Sequence, residues 1–167
     1  MLKIFNDLEP FFKDNYARIH VRKYAILKNI SPPTASKELE TLRKHGLLKK
    51  DISDKYFHYF ANKDSLDFID LQRMYYRLQL KDVIQHISEE TINPTIYLFG
   101  SLAKAETTMQ SDIDIAIITP TQKMLDVKKF EKKLGRTIQV FMFTDIEKIP
   151  SELRANILNG YRLRGNI

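Results

Sequence analysis

Ile96-Tyr97-Leu98-Phe99-Gly100-Ser101 and, ten residues later, Asp112-Ile113-Asp114-Ile115-Ala116-Ile117-Ile118 decide how this chain is read. Each is a strand pattern of apolar residues with polar chemistry fixed at one end. The first run stops at a Gly-Ser pair, where a chain leaving a sheet can offer backbone N–H groups and a hydroxyl to a phosphate. In the second, side chains alternate between faces, which puts Asp112 and Asp114 on one face and Ile113 and Ile115 on the other. Two carboxylates about 7 Å apart along a strand, facing a phosphate-cradling turn, form a seat for Mg²⁺ ions holding a nucleoside triphosphate.

Around these two runs the spacing of apolar residues predicts a strand over 95–99, a short helix over 102–109, a strand over 112–118, a helix over 122–134, a strand over 137–143 and a C-terminal helix over 151–159. Gly135 stands where a helix-ending glycine belongs. The expected product is a small α/β unit with a mixed sheet over residues 95–167.

Gly100-Ser101, the ten intervening residues and Asp112-Ile113-Asp114 together resemble the minimal nucleotidyltransferase domains of the DNA polymerase β superfamily. The resemblance implies that Gly100 and Ser101 form the phosphate turn. It also implies that Asp112 and Asp114 are the catalytic metal ligands, holding two Mg²⁺ ions that align the α-phosphate with an acceptor hydroxyl. Lys104, just after the turn, is placed to meet the triphosphate, and Ser111 also matches the family pattern, as a residue that shapes the turn. There are two departures. Where the family often has a second glycine this chain has Ala105, which a helix would accommodate. Where active members carry a third carboxylate, aligning the strand to Ile138-Gln139-Val140 puts Gln139, an amide that cannot take the proton of the attacking hydroxyl. Glu106 and Asp126 are other carboxylates in reach of the sequence, without strand geometry in their favour. Related domains transfer AMP onto a partner toxin as antitoxins, or modify small molecules. A domain of this size leaves little room for its own acceptor pocket, which favours a protein, such as a toxin, or a nucleic acid as acceptor.

The first third of the chain reads differently. Leu2, Phe5, Leu8, Phe11 and Phe12 recur at helical steps, with Pro10 expected to kink or end that helix. A short strand over 17–21 and a helix over 23–28, with Tyr24, Ile26 and Leu27 inward, follow. Ser31 is an N-cap, Pro32 suits the first helical position, and Ala35, Leu39 and Leu42 form a buried stripe that stops near Gly46. Two strands, 47–50 and 56–60, joined by the turn at Ser53-Asp54-Lys55, complete the order helix, helix, hairpin. The string Ile30-Ser31-Pro32-Pro33-Thr34-Ala35-Ser36-Lys37, with Gly46-Leu47-Leu48, resembles the recognition helix of bacterial and archaeal winged-helix regulators. The resemblance implies double-stranded DNA as a partner, with Pro33, Thr34, Ser36 and Lys37 meeting the major groove and Lys44, Lys49 and Lys55 meeting phosphates. The competing use of the same surface is a protein partner.

Between the two, Ser65 caps an expected long helix to about Ile87. Its apolar residues, Leu66, Phe68, Ile69, Leu71, Met74, Tyr75, Leu78, Leu80 and Val83, form a stripe broad enough to pack inward and to pair with its copy in a homodimer. Thr91-Ile92-Asn93-Pro94 breaks it.

The totals fit this reading. The 167 residues carry a net charge of +6. Residues 13–50 hold ten bases against three acids, so the positive charge is concentrated where a polyanion would dock. No apolar run is long enough for a membrane span and the first residues lack a signal-peptide pattern. The absence of cysteine excludes disulfides and thiolate metal sites and fits a cytoplasmic setting. The four histidines are scattered, without metal-ligand spacing. The expected fold class is α+β: an N-terminal winged helix-turn-helix over 1–62, a connecting helix over 63–94 and a nucleotidyltransferase domain over 95–167. Two functions remain open, a DNA-binding nucleotidyltransferase and a transcriptional regulator whose nucleotidyltransferase fold is a silent nucleotide sensor or dimerisation module.

Overall fold

In a computed structural model of the chain, residues 2–53, 55–121 and 123–165 are described. They pack as two compact units: residues up to Gln72 together with Ala105–Met109, and Arg73–Lys104 together with the chain from Gln110 onward. Among the described residues no helix is long and apolar enough to cross a membrane.

The first unit runs α1 (Lys3–Lys13), β1 (Ile19–His20), α2 (Val21–Lys28), α3 (Pro32–Lys44), β2 (Leu48–Ser53), β3 (Tyr56–Ala61) and the start of α4 (Leu66–Gln79). Its sheet has the order β1-β3-β2 and is antiparallel throughout. Phe5, Leu8, Phe11 and Phe12 of α1, with Tyr24, Leu39, Tyr59 and Phe68, are fully enclosed in its core.

Local chemistry explains where these elements differ from expectation. Pro10 neither ends α1 nor interrupts its burial, because the helix continues to Lys13. A proline at this position leaves the carbonyl four residues earlier without its helical donor, and the Lys28 amine donates to that Asn6 carbonyl at 2.5 Å. In α2 the buried positions are Tyr24 and Ala25. Ile26 and Leu27, expected inward, therefore turn to the opposite side, with Ile26 81% exposed. The α3 start is as expected: the Ser31 hydroxyl accepts from the Thr34 N–H at 3.3 Å, and Ala35, Leu39 and Leu42 are buried. Gly46 follows with φ +73°. Of the expected hairpin turn, Asp54 lies outside the described residues, and Lys55 has φ 67°.

A carboxylate ties α3 to the hairpin. Glu40 accepts from the Lys50 amine at 2.5 Å, the Tyr59 hydroxyl at 2.6 Å and the Arg43 guanidinium at 2.8 Å. These donors, Lys50 first, hold its carboxyl down at about 2.

The first unit also holds the middle of the ten residues that separate Ser101 from Asp112. The Asn15 side chain, itself buried, is the anchor. Its oxygen accepts from the Thr107 N–H at 2.6 Å, while its amide donates to the Phe11 carbonyl at 2.8 Å and to Gln72 Oε1 at 2.6 Å. Gln72 in turn donates to the Thr107 hydroxyl at 3.2 Å, and the Asn15 N–H donates to the Thr107 carbonyl at 2.8 Å. The expected helix over 102–109 is thus corrected to a single turn, α6 (Ser101–Lys104). It stops because Ala105 takes φ 55°, the left-handed region. That conformation costs an alanine about 1–2 kcal/mol and a glycine almost nothing, so Ala105 does not sit in the helical context expected of it.

The second unit comprises the end of α4, α5 (Lys81–Glu90), β4 (Thr95–Phe99), α6, β5 (Ile113–Ile118), α7 (Lys128–Leu134), β6 (Ile138–Phe143), a 3₁₀ turn (Ile146–Lys148), α8 (Ser151–Leu158) and β7 (Tyr161–Arg164). The single long linker helix expected over 65–87 is two helices, interrupted at buried Leu80 (φ −86°, ψ 6°). The break leaves Leu80, Val83 and Ile87 enclosed while Met74 and Leu78 remain exposed. The sheet order is β6-β5-β4-β7, with β5 and β6 parallel and the other pairs antiparallel. The central strand β4 is buried at every position. On one face Tyr97, Phe99 and Ala116 pack with Ile149 and Ile157. The helix expected from 122 starts only at Lys128, Gln122 lying outside the described residues, and Gly135 ends it at φ 66°.

Two outcomes follow. Glu40→Gln should destabilise the protein by about 1 kcal/mol at neutral pH. A folded-state pKa near 2 against an ordinary 4.5 means that the contribution is complete above 4.5 and is lost as pH falls toward 2. Urea melts of wild type and variant should therefore converge over that window. Ala105→Gly should raise stability by about 1 kcal/mol, measured in the same melts, because it releases the left-handed strain.

Candidate nucleotide site

β4 and β5 bring the two halves of the opening motif together. Their antiparallel register sets Phe99 opposite Asp114, and the parallel register of β5 with β6 sets Gln139 on the other side of Asp114. The chain leaves β4 through Gly100 at φ +68° and enters α6 at Ser101. A Cβ on Gly100 would lie 2.2 Å from Asp114 Oδ2. No side chain fits there, so the turn and the carboxylate are packed backbone to side chain. This close approach requires glycine sterically as well as conformationally.

Asp112 lies just before β5, half-buried, and Asp114 is the strand's second residue. Burial raises the Asp114 pKa above its ordinary value, and the neighbouring Asp112 charge raises it further. Gln139 Nε2 donates to Asp112 Oδ2 at 2.7 Å. The Asp112 approach is also fixed from behind: Arg136 donates to the Ser111 carbonyl at 2.5 Å, and the Ile113 N–H donates to the Thr137 carbonyl at 2.8 Å. Lys104 is turned to α8, where its amine donates to Asn156 Oδ1 at 2.8 Å.

Asp112, Asp114, Gly100 and Gln139 therefore meet at one end of the sheet. The residues fit a divalent cation with its nucleotide: two neighbouring carboxylates, one of them held in a half-buried setting that disfavours its own charge, beside a turn whose glycine packs against that carboxylate. Among the described residues no group of three or more Asp, Glu, His or Cys gathers that could hold a metal ion. The sequence singled out Gln139 by its place on the strand, but its bond to Asp112 and the Arg136 anchor escaped sequence reasoning because only the folded contacts reveal them.

The residues expected to meet DNA lie in the first unit. Pro33, Lys37 and Lys44 are exposed on the side of α3 away from its buried stripe. Thr34 is exposed with its hydroxyl 2.8 Å from that of Ser31, and Ser36 is half-buried. Lys49 is paired with Asp64 at 2.5 Å, and Lys55 is exposed in the hairpin turn.

Comparison with known proteins matches one family model, Polymerase beta, Nucleotidyltransferase, over residues 79–163. No curated protein and no solved structure matches the chain. The matched residues span just over half of the sequence and include Gly100, Ser101, Asp112, Asp114 and Gln139. The chain belongs to the polymerase beta nucleotidyltransferase family.

Proposed function

We propose that the second unit binds a Mg²⁺-nucleoside triphosphate, ATP by preference, and transfers a nucleotidyl group to a protein or nucleic-acid acceptor, in a cytoplasmic DNA-binding regulator of antitoxin type. The observation that carries this reading is the packing of Gly100 against Asp114, which joins the phosphate turn and the paired carboxylates into one seat. Asp112 and Asp114 would hold the cation, which when bound offsets phosphate charge and aligns an acceptor oxygen with the α-phosphate. Gly100 lets the turn close on Asp114, Ser101 supplies a hydroxyl, and Lys104, freed from Asn156, supplies a cation for the distal phosphates. With an amide at position 139, the carboxylate proposed to take the acceptor's proton is Asp114, whose pKa burial raises.

A second reading is favoured by one contact. The Gln139 amide already donates to Asp112, and an amide cannot serve as the third carboxylate. On that reading the fold senses nucleotide, or holds a dimer together, without turnover.

For the first unit the proposal is a winged helix that binds duplex DNA. It is supported by the order of α1, β1, α2, α3 and the β2–β3 hairpin, by the Ser31 cap and by the run of bases over 13–50. Operator binding as a homodimer belongs to the same reading, with the exposed Leu66 and Met74 of α4 available for it.

Incubation with Mg²⁺ and α-labelled ATP, alone and with candidate acceptors, should give label transfer that vanishes in Asp112→Ala/Asp114→Ala. Mg²⁺-dependent nucleotide binding with no transfer to any acceptor would establish the silent sensor instead. Duplex DNA binding should weaken steeply with salt. Lys37→Ala and Lys44→Ala should each lower affinity several-fold and reduce the logarithmic salt slope by about 1. Absence of binding at low salt would assign this surface to a protein partner.

A further inference from the structure

A groove of about 730 Å³ is lined by the end of α4, by α5 and by β7, an edge strand of its sheet. We infer that this groove docks an acidic, extended segment of a protein partner, which adds to β7 as a further strand.

Three observations carry the inference. First, four cations line the groove: Arg77 and Lys81 from the helices and Arg162 and Arg164 from the strand. Among the described residues that line it, none is acidic. None of the four cations donates a side-chain hydrogen bond or closes an ion pair among the described residues. Asp82, the acid next to Lys81 in sequence, is already bonded by Lys133 at 2.6 Å. Among the described residues this positive charge is met only by the Asp82 charge near Lys81, and an anion is its natural complement.

Second, β7 is the last strand of the sheet among the described residues, so its outer N–H and C=O groups pair with no further strand there. Within it Arg162 and Arg164 are exposed on either side of buried Leu163. An added strand with carboxylates at alternate positions would set them about 7 Å apart, the repeat of the two arginines. Third, the groove has apolar surface, with Leu78 50% exposed beside buried Leu163. No aromatic residue lines it among those described. A nucleic-acid strand gains from stacking platforms, which are missing here, whereas a peptide gains from an open edge and apolar contacts.

Charged side chains on an edge strand also guard against aggregation. That role accounts for Arg162 and Arg164 but not for Arg77 and Lys81, which line the same groove from separate helices. The inference does not rest on nucleotidyl transfer, because its test reads binding with no nucleotide present.

The test is fluorescence anisotropy of the full chain with a labelled peptide of alternating glutamate and valine. The expected result is saturable binding that falls at least tenfold in Arg162→Glu/Arg164→Glu and at least tenfold when alternate peptide amides are N-methylated, with no binding of a lysine–valine counterpart. If the strand variant fails to fold, Arg77→Glu/Lys81→Glu, outside the sheet, should give the same loss. Absence of wild-type binding, equal binding by a folded variant, or indifference to N-methylation would overturn the inference. So would single-stranded or duplex oligonucleotides losing affinity in these variants while the acidic peptide does not.

Discussion

The close approach of Gly100 to Asp114 is the constraint on which the site depends. A single added carbon would meet the carboxylate at 2.2 Å, so the turn after β4 can close on β5 only with glycine at its corner. The sheet sets up this contact. With β4 buried at every position and flanked by β5 and β7, its end is fixed, and the register that pairs Phe99 with Asp114 leaves the next residue no freedom. The consequence is a carboxylate held half-buried beside a second carboxylate, with its ionised form disfavoured by both. Such a pair stores unfavourable electrostatics that a cation relieves, which is how a folded site acquires affinity for one.

Gln139 modifies this balance. Its register beside Asp114 and its bond to Asp112 supply a neutral donor next to the two carboxylates. The amide lowers the repulsion of the cation-free site and removes a proton acceptor at the same stroke. The two functional readings therefore diverge at a single side chain, and the remaining geometry serves either.

Much of the architecture was legible because it follows from local rules. Strand β4 spans the residues its apolar run predicts, α3 starts at its Ser-Pro cap, and Gly135 ends α7 as a left-handed glycine should. What was not legible depends on partners distant in sequence. Pro10 is tolerated because Lys28, eighteen residues on, supplies the donor for the carbonyl it leaves unpaired. Ala105 is left-handed because Asn15 and Gln72 hold Thr107 two residues later. The single turn of α6 follows from that hold. β7 was missed because Tyr161-Arg162-Leu163-Arg164 has one buried apolar residue and reads as polar chain until β4 pairs with it. Within the site, the glycine, the serine and the two aspartates carried a spacing signal, while Arg136 and the Gln139 bond exist only through strand register.

The most direct test is calorimetric titration of Mg²⁺-ATP into wild type, Gly100→Ala and Gly135→Ala. Both glycines have positive φ, but a Cβ at Gly135 meets nothing within 4 Å, so that variant controls for backbone strain alone. If Gly100 and Asp114 form one nucleotide seat, Gly100→Ala loses at least tenfold in affinity while Gly135→Ala binds as wild type does. Equal binding by all three, or by none, would contradict it.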